Sequence, residues 1–144
     1  MYTRILVATD GSDITSKAVQ AAIGLARLSG GSLVAISVKE PFPYSAISEM
    51  QPVPPQDFYD AQERIAAQRI KEVIGAAEAS GLKCDGFTVE AIHPWEAILD
   101  HAKTAGCDLI VMASHGRRGM AALLLGSETS RVLTHSELPV LVVK

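Results

Sequence analysis

Leu109-Ile110-Val111-Met112-Ala113-Ser114-His115-Gly116, followed after nine residues (Arg117 to Leu125) by Gly126-Ser127-Glu128-Thr129, is the stretch that decides the fold. Its first half is a run of branched apolar residues, the mark of a strand buried on both faces. The run breaks into a loop of small residues. The chain then re-enters helical sequence through Gly-Ser-Glu-Thr, a helix-start pattern. A strand, a small-residue loop and a helix N-terminus in succession expose backbone N–H groups with no side chain in the way, and such groups can cradle phosphate.

Outward from that stretch the same alternation repeats. Ile5-Leu6-Val7-Ala8 reads as a first strand, breaking at Thr9-Asp10-Gly11-Ser12. Ser12 or Asp13 can cap the helix that follows, whose inner stripe is read as Ile14, Ala18, Ala21, Ala22, Leu25 and Leu28. Gly30-Gly31 stops it. Leu33 to Val38 is a second strand, and the prolines at 41, 43, 52, 54 and 55 mark an irregular segment, either a lid or a surface loop. A helix is predicted from about Asp57 to Ser80, with Ile65, Ile70, Val73, Ile74 and Ala77 inward. Phe87 to Ile92 alternates like a less buried third strand. Pro94 opens a helix with Ile98, Ala102 and Ala105 inward. Leu109 to Ala113, Glu128 to Ser136 and Pro139 to Val143 complete the series as strand, short helix and strand.

Five strands joined by helical crossovers imply an α/β fold, a doubly wound parallel sheet with helices on both faces, formed by one domain over residues 1–144. Such sheets bind ligands at the carboxyl ends of their strands, where strand order reverses. The loops after the first and fourth strands are the expected walls of that crevice.

Composition narrows the function. A net charge of −3 supplies no basic field for nucleic acid or an anionic membrane, and aromatic residues are only 5%, too few for a base-stacking surface. No apolar run reaches the roughly 18–20 residues of a membrane span. Met1 to Ile5 leads directly into a strand, leaving no room for a signal peptide, so cytoplasm is the expected compartment. Cys84 and Cys107 lack metal-ligand spacing and a CxxC pairing, and are read as small, reduced, mostly buried side chains. Neither a GxxxxGK[ST] loop nor a GxGxxG turn is present. No Ser-His-Asp arrangement or zinc-type cluster can be argued from spacing.

Each candidate site residue has a plain alternative. Gly116 either approaches a phosphate or makes an ordinary turn, and Ser127 either offers its hydroxyl or caps the last helix. Thr129 and Ser130 can also offer hydroxyls to a triphosphate. Arg117 and Arg118 are solvated, or one swings onto a terminal phosphate. Asp10 either caps the turn at Gly11, or accepts from a ribose hydroxyl and helps hold a phosphate-bound Mg²⁺. His115 can donate to phosphate from within the loop, whereas His93, His101 and His135 read as structural or exposed.

Three blocks together resemble the universal stress protein family: Ile5 to Ser12, Asp108 to Gly119, and Leu125-Gly126-Ser127 through Leu138-Pro139-Val140-Leu141-Val142-Val143. The resemblance covers the whole chain. It implies a Rossmann-like five-stranded sheet of order 3-2-1-4-5 and a homodimer. Some members bind ATP through Gly, two residues, Gly, nine residues, Gly, then Ser or Thr, and others lack the pattern. Here Gly116, Gly126 and Ser127 match, and Ala113 stands where the first glycine belongs. If that position required positive φ, alanine would cost about 1–2 kcal/mol. Because Ala113 continues a strand, an extended backbone is expected, with only its methyl intruding on the ligand.

By resemblance Ala8 and Val38 would line an adenine pocket, with Asp10 at the ribose end and Thr129 and Ser130 near the phosphates. Thr9, Met112, His115, Arg117 and Glu128 complete the nucleotide-binding set. The implied function is an ATP-binding stress-response regulator or sensor, carrying Mg²⁺ through the phosphates, hydrolysing ATP slowly at most and acting on a protein partner. The alternative is a dimeric interaction module of the same fold that binds no nucleotide. An ATP-consuming ligase or nucleotidyl transferase is disfavoured, because no acidic or basic catalytic pair accompanies the loop. The dimer would form through Val140 to Val143, an uncharged edge strand that invites antiparallel pairing with a second copy.

Overall fold

A computed structural model describes residues 1–39, 41, 56–116 and 125–144. The element order is β1 (Arg4–Ala8), α1 (Asp13–Ser29), β2 (Ser32–Lys39), α2 (Gln56–Ala79), β3 (Cys84–Glu90), α3 (Pro94–Thr104), β4 (Leu109–Ala113), α4 (Ser127–His135) and β5 (Val140–Val143). The strands form one sheet of order β3-β2-β1-β4-β5, every neighbouring pair parallel. The expected doubly wound α/β architecture is therefore the observed one.

Strand alternation divides the core between the two faces. Ile5, Val7, Leu33, Ala35, Leu109 and Val111 pack beneath α1 and α2, while Leu6, Val34, Ile36, Ile110 and Met112 pack with Ile98 and Ala102 of α3 and Val132 of α4. Both faces of the central strands are dry, which explains their continuous apolar runs. β3 and β5 end the sheet and are only partly covered.

Local chemistry sets the helix ends. Ser12 caps α1 in extended conformation, and Gly30 closes it at φ 69° with its N–H on the Ala26 carbonyl, a left-handed turn that glycine adopts without strain. At the amino ends of the strands, Asp108 accepts from the backbone N–H groups of Thr3 (2.9 Å) and Arg4 (3.1 Å). Burial pushes its carboxyl up, but these amides and the Thr3 hydroxyl outweigh burial and hold it below the ordinary value. Arg4 reaches the Ala105 carbonyl at 2.7 Å and Asp85 at 3.1 Å.

Several expectations from periodicity are corrected. The inner stripe of α1 is Thr15, Ala18, Val19, Ala22, Ile23 and Ala26. Ile14, Ala21 and Leu25 lie at its margin, and Leu28 is 87% exposed. Alanines one turn apart let the helix lie close on the sheet, so the small residues face inward and the larger Leu28 is turned away. Ile65 is also exposed, its neighbour Ala66 taking the buried position in α2. β3 begins at Cys84 rather than Phe87 and ends at Glu90, leaving Ile92 77% exposed beyond it. The other elements match their predicted positions to within a residue or two. Cys84 is half-buried and Cys107 buried, both as free thiols. Among the described residues no helix is long and apolar enough to cross a membrane. Beyond Pro41, the proline-rich segment lies outside the described residues.

Candidate functional site

β1 sits between β2 and β4, and its own crossover leads to β2 while β4 is reached from β3 by α3. The order therefore reverses between β1 and β4, whose carboxyl ends open the crevice of a doubly wound sheet. The predicted loops flank it.

The first loop is held by its own hydroxyls and carboxylate. Thr9 N–H continues the ladder to the Ile36 carbonyl at 3.0 Å, and Gly11 N–H donates to Thr9 Oγ1 at 3.2 Å. Asp10 Oδ1 accepts from Ser12 N–H at 2.9 Å and from Thr15 Oγ1 at 3.1 Å. One carboxylate oxygen of Asp10 thus closes the turn. The other lies against Gly116, where a Cβ would stand 2.6 Å from Asp10 Oδ2. Glycine at 116 is what lets the two loops meet.

The second loop is tied down from three sides. Ser114 N–H donates to the Val143 carbonyl at 2.8 Å, and the Ser114 carbonyl accepts from Gly126 N–H at 2.6 Å. Thr129 Oγ1 donates to the Ala113 carbonyl at 2.8 Å. Gly126 is in ordinary extended conformation, so its requirement is space: a Cβ there would come within 3.1 Å of His115 Cα. His115 Nδ1 lies 3.2 Å from Ser114 Oγ.

Gly126 also stands as the N-cap of α4 without a side-chain hydrogen bond. No side chain among the described residues caps the first N–H groups of α4, which with the helix dipole form a local anion-attracting end. Ser127 is its exposed first residue. On the α3/α4 face of the sheet, Ala8, Val38 and Met112 come from three strand ends and pack against one apolar cluster. Asp10, His115, Gly116, Gly126 and Ser127 are thus gathered on one rim, and Ala8, Val38 and Met112 below it.

Other predicted roles change. Thr129 is 2% exposed, and its hydroxyl hydrogen is spent on strapping α4 to β4, so it is not a phosphate donor. Glu128 turns to α3, where Oε2 accepts from Trp95 N–H at 2.8 Å. This replaces the cap that His93, the N-cap residue, does not supply from its side chain. Ser130 is half-buried in the first turn of α4, with its carbonyl accepting from Thr134. Ala113 is extended, and it packs into the core beneath α1, so its methyl does not intrude on the crevice. Arg117 and Arg118 lie outside the described residues. Among those described, no group of three or more His, Cys, Asp or Glu is placed to hold a metal.

Sequence reasoning missed Ser114, whose backbone joins β5 and α4, and Thr15, which fixes Asp10. Thr15 stands three residues after Ser12, the spacing at which a helix cap and its partner meet. That was the available signal.

The fold and rim define a Rossmann-like α/β protein with its crevice at the β1/β4 switch point. The universal stress protein family model matches residues 1–144, and the chain belongs to that family. It is 32% identical to the universal stress protein YxiE of Bacillus subtilis, covering all of both chains. Protein MJ0577 of Methanocaldococcus jannaschii is a structural neighbour with a TM-score of 0.85 at 28% identity, covering 100% of this chain and 96% of that one. A universal stress protein solved in complex with cAMP superposes with a TM-score of 0.74 at 26% identity, covering 99% of this chain and 97% of its own.

Proposed function

We propose that this chain is an adenine-nucleotide-binding stress-response protein, a cytoplasmic homodimer whose nucleotide state is sensed by a protein partner. In this reading the ligand is ATP, with Mg²⁺ carried by its phosphates and hydrolysis slow at most. The observation that carries the reading is the uncapped N-terminus of α4, set behind Gly126 and facing the Gly116 loop. The family neighbour in complex with cAMP supports an adenine nucleotide as the ligand class. The purine would rest on Ala8 and Val38, partly exposed apolar residues of two strand ends, over the buried Met112. Phosphates would take the main-chain amides near Gly126 and Ser127, with His115 alongside. Asp10 would hold the ribose or steady the metal, since a carboxylate beside Gly116 repels bare phosphate but suits a phosphate-bound cation.

The same carboxylate favours a second reading. With Asp10 beside Gly116 and no metal partner, the rim is unfavourable to phosphate, and the protein would be an interaction module without nucleotide. Equilibrium dialysis with ATP, with and without Mg²⁺, separates the two. Binding at or below millimolar ATP that strengthens with Mg²⁺ is expected. No binding at millimolar ATP leaves the second reading.

A further inference from the structure

A groove on the described surface lies on the β3 side of the sheet, next to Val38, whose ladder partner Val89 lines it. A cavity of about 460 Å³ runs between β3 and α3, with Val89 and Ala91 on the strand side and Ala97 and His101 on the helix side. Phe87 is 39% exposed beside it, with its ring 4.4 Å from that of His101. Ile92 stands exposed at one end.

Among the described residues β3 is an end strand that pairs with β2 alone. The Lys83 carbonyl accepts from Leu33 and the Ala91 N–H donates to Lys39. In a parallel ladder both groups of such residues face the same neighbour, so odd-numbered positions face β2. The N–H and C=O groups of Cys84, Gly86, Thr88 and Glu90 consequently face away from the sheet, forming an open edge.

Three carboxylates border the groove: Glu90 at the end of β3, and Glu96 and Asp100 one turn apart on α3. All three are exposed, and the ion pairs among the described residues, Arg4–Asp85 and Lys39–Glu63, use none of them. Like charges four residues apart oppose the helix rather than support it. His101 does not offset them, because burial lowers its pKa and favours the neutral ring. Its Nε2 is buried and has no hydrogen-bond partner among the described residues.

We infer that β3 and this groove form a docking edge for an extended, basic segment of a partner protein, which adds as a sixth strand beside β3. Main-chain pairing to the outward groups of β3 supplies the attachment, as in other strand additions. Alternate side chains of the added strand fall over the groove, where apolar residues meet Phe87 and Ile92 and lysine or arginine meets Glu90, Glu96 and Asp100. A second copy of this chain is a poor occupant, since a two-fold pairing of the same edge brings like carboxylates together. The edge lies at the opposite side of the sheet from β5, so docking and dimerisation do not compete.

The test uses the full chain and a dye-labelled synthetic peptide, acetyl-Val-Thr-Lys-Thr-Lys-Thr-Val-amide, in which valine and lysine share one face of the strand. Two control peptides carry glutamate in place of lysine, or N-methyl groups at alternate residues. The basic peptide is expected to bind and to slow hydrogen exchange along β3, with affinity falling as salt rises. The glutamate and N-methyl controls should fail. Glu96→Gln with Asp100→Asn, both at exposed helix positions, should weaken binding about fivefold. Equal binding of the N-methyl peptide, an unaffected double variant, or protection elsewhere than β3 would overturn the inference. So would spermidine competing as strongly as the peptide, or β3 protection that arises from self-association of the chain alone.

Discussion

At the scale of single residues, Gly116 and Gly126 are needed for space, and the space differs in kind. A Cβ at 126 meets the backbone of His115, which cannot yield without moving the loop, whereas one at 116 meets Oδ2 of Asp10, whose other oxygen is held by Ser12 N–H and Thr15 Oγ1. Gly126→Val is therefore expected to cost roughly 1–3 kcal/mol through overpacking and to abolish nucleotide binding while the sheet stays folded. Gly116→Ala should cost about 1 kcal/mol by straining the Asp10 bonds that close the first loop, and weaken binding by displacing Asp10. Urea unfolding and equilibrium dialysis of both variants check this, and normal ATP binding by Gly126→Val would show that α4 does not hold the phosphates. Cys84 belongs at this scale too. Burial first, then the neighbouring Asp85, push its thiol up to about 11. Alkylation of native protein near neutral pH should be about a hundredfold slower than in denaturant, since only the thiolate reacts.

At the scale of elements, α3 and α4 depend on each other. Glu128 of α4 accepts from Trp95 N–H, and Trp95 stacks on His135 with centroids 4.5 Å apart. Glu128→Ala should cost about 1 kcal/mol, the usual loss for a helix cap, and His93→Asp should recover most of it by capping α3 locally. Additive losses in the double variant, measured by urea unfolding, would show that Glu128 does not act as a cap. The amino ends of β1 and β4 have a matching pH dependence. Asp108 has its folded pKa depressed, so its stabilisation is present above the ordinary carboxylate pKa and is lost as pH falls through the folded value. Asp108→Asn should flatten that part of the acid unfolding profile.

Strands β1, β2 and β4 could be read from the chain because burial on both faces leaves only apolar residues to choose from. Gly30 and Ser12 were legible because left-handed turns and N-caps admit few residue types. The phase of α1 was not. Alanine is small enough for either side, and periodicity does not reveal how near the helix lies to the sheet. For the site, position in sequence placed Asp10, Gly116, Gly126 and Ser127 on one rim, since the topology dictates where strand ends meet. It could not reveal that Thr129 and Glu128 are occupied by β4 and α3, because those partners lie 16 and 33 residues away.

At the scale of the whole molecule, the sheet has two unlike edges. β3 carries carboxylates and an open groove beside it. β5 is Val-Leu-Val-Val, with Leu141 38% exposed and no charge before Lys144. An uncharged edge of branched residues is a template for pairing, and a two-fold axis would pair two such edges antiparallel and cover both. Leu141→Glu places an unpaired carboxylate in that seam, which should cost about 3 kcal/mol or more, roughly a hundredfold in dimer affinity. Sedimentation should show a dimer for the native chain and a monomer for the variant. The Ser114 N–H bond to the Val143 carbonyl joins this edge directly to the loop after β4. Loss of the dimer should therefore alter ATP affinity as well, with the two measurements changing together. A monomeric Leu141→Glu protein with unaltered ATP affinity would separate the edge from the crevice, and a dimeric one would place the interface elsewhere.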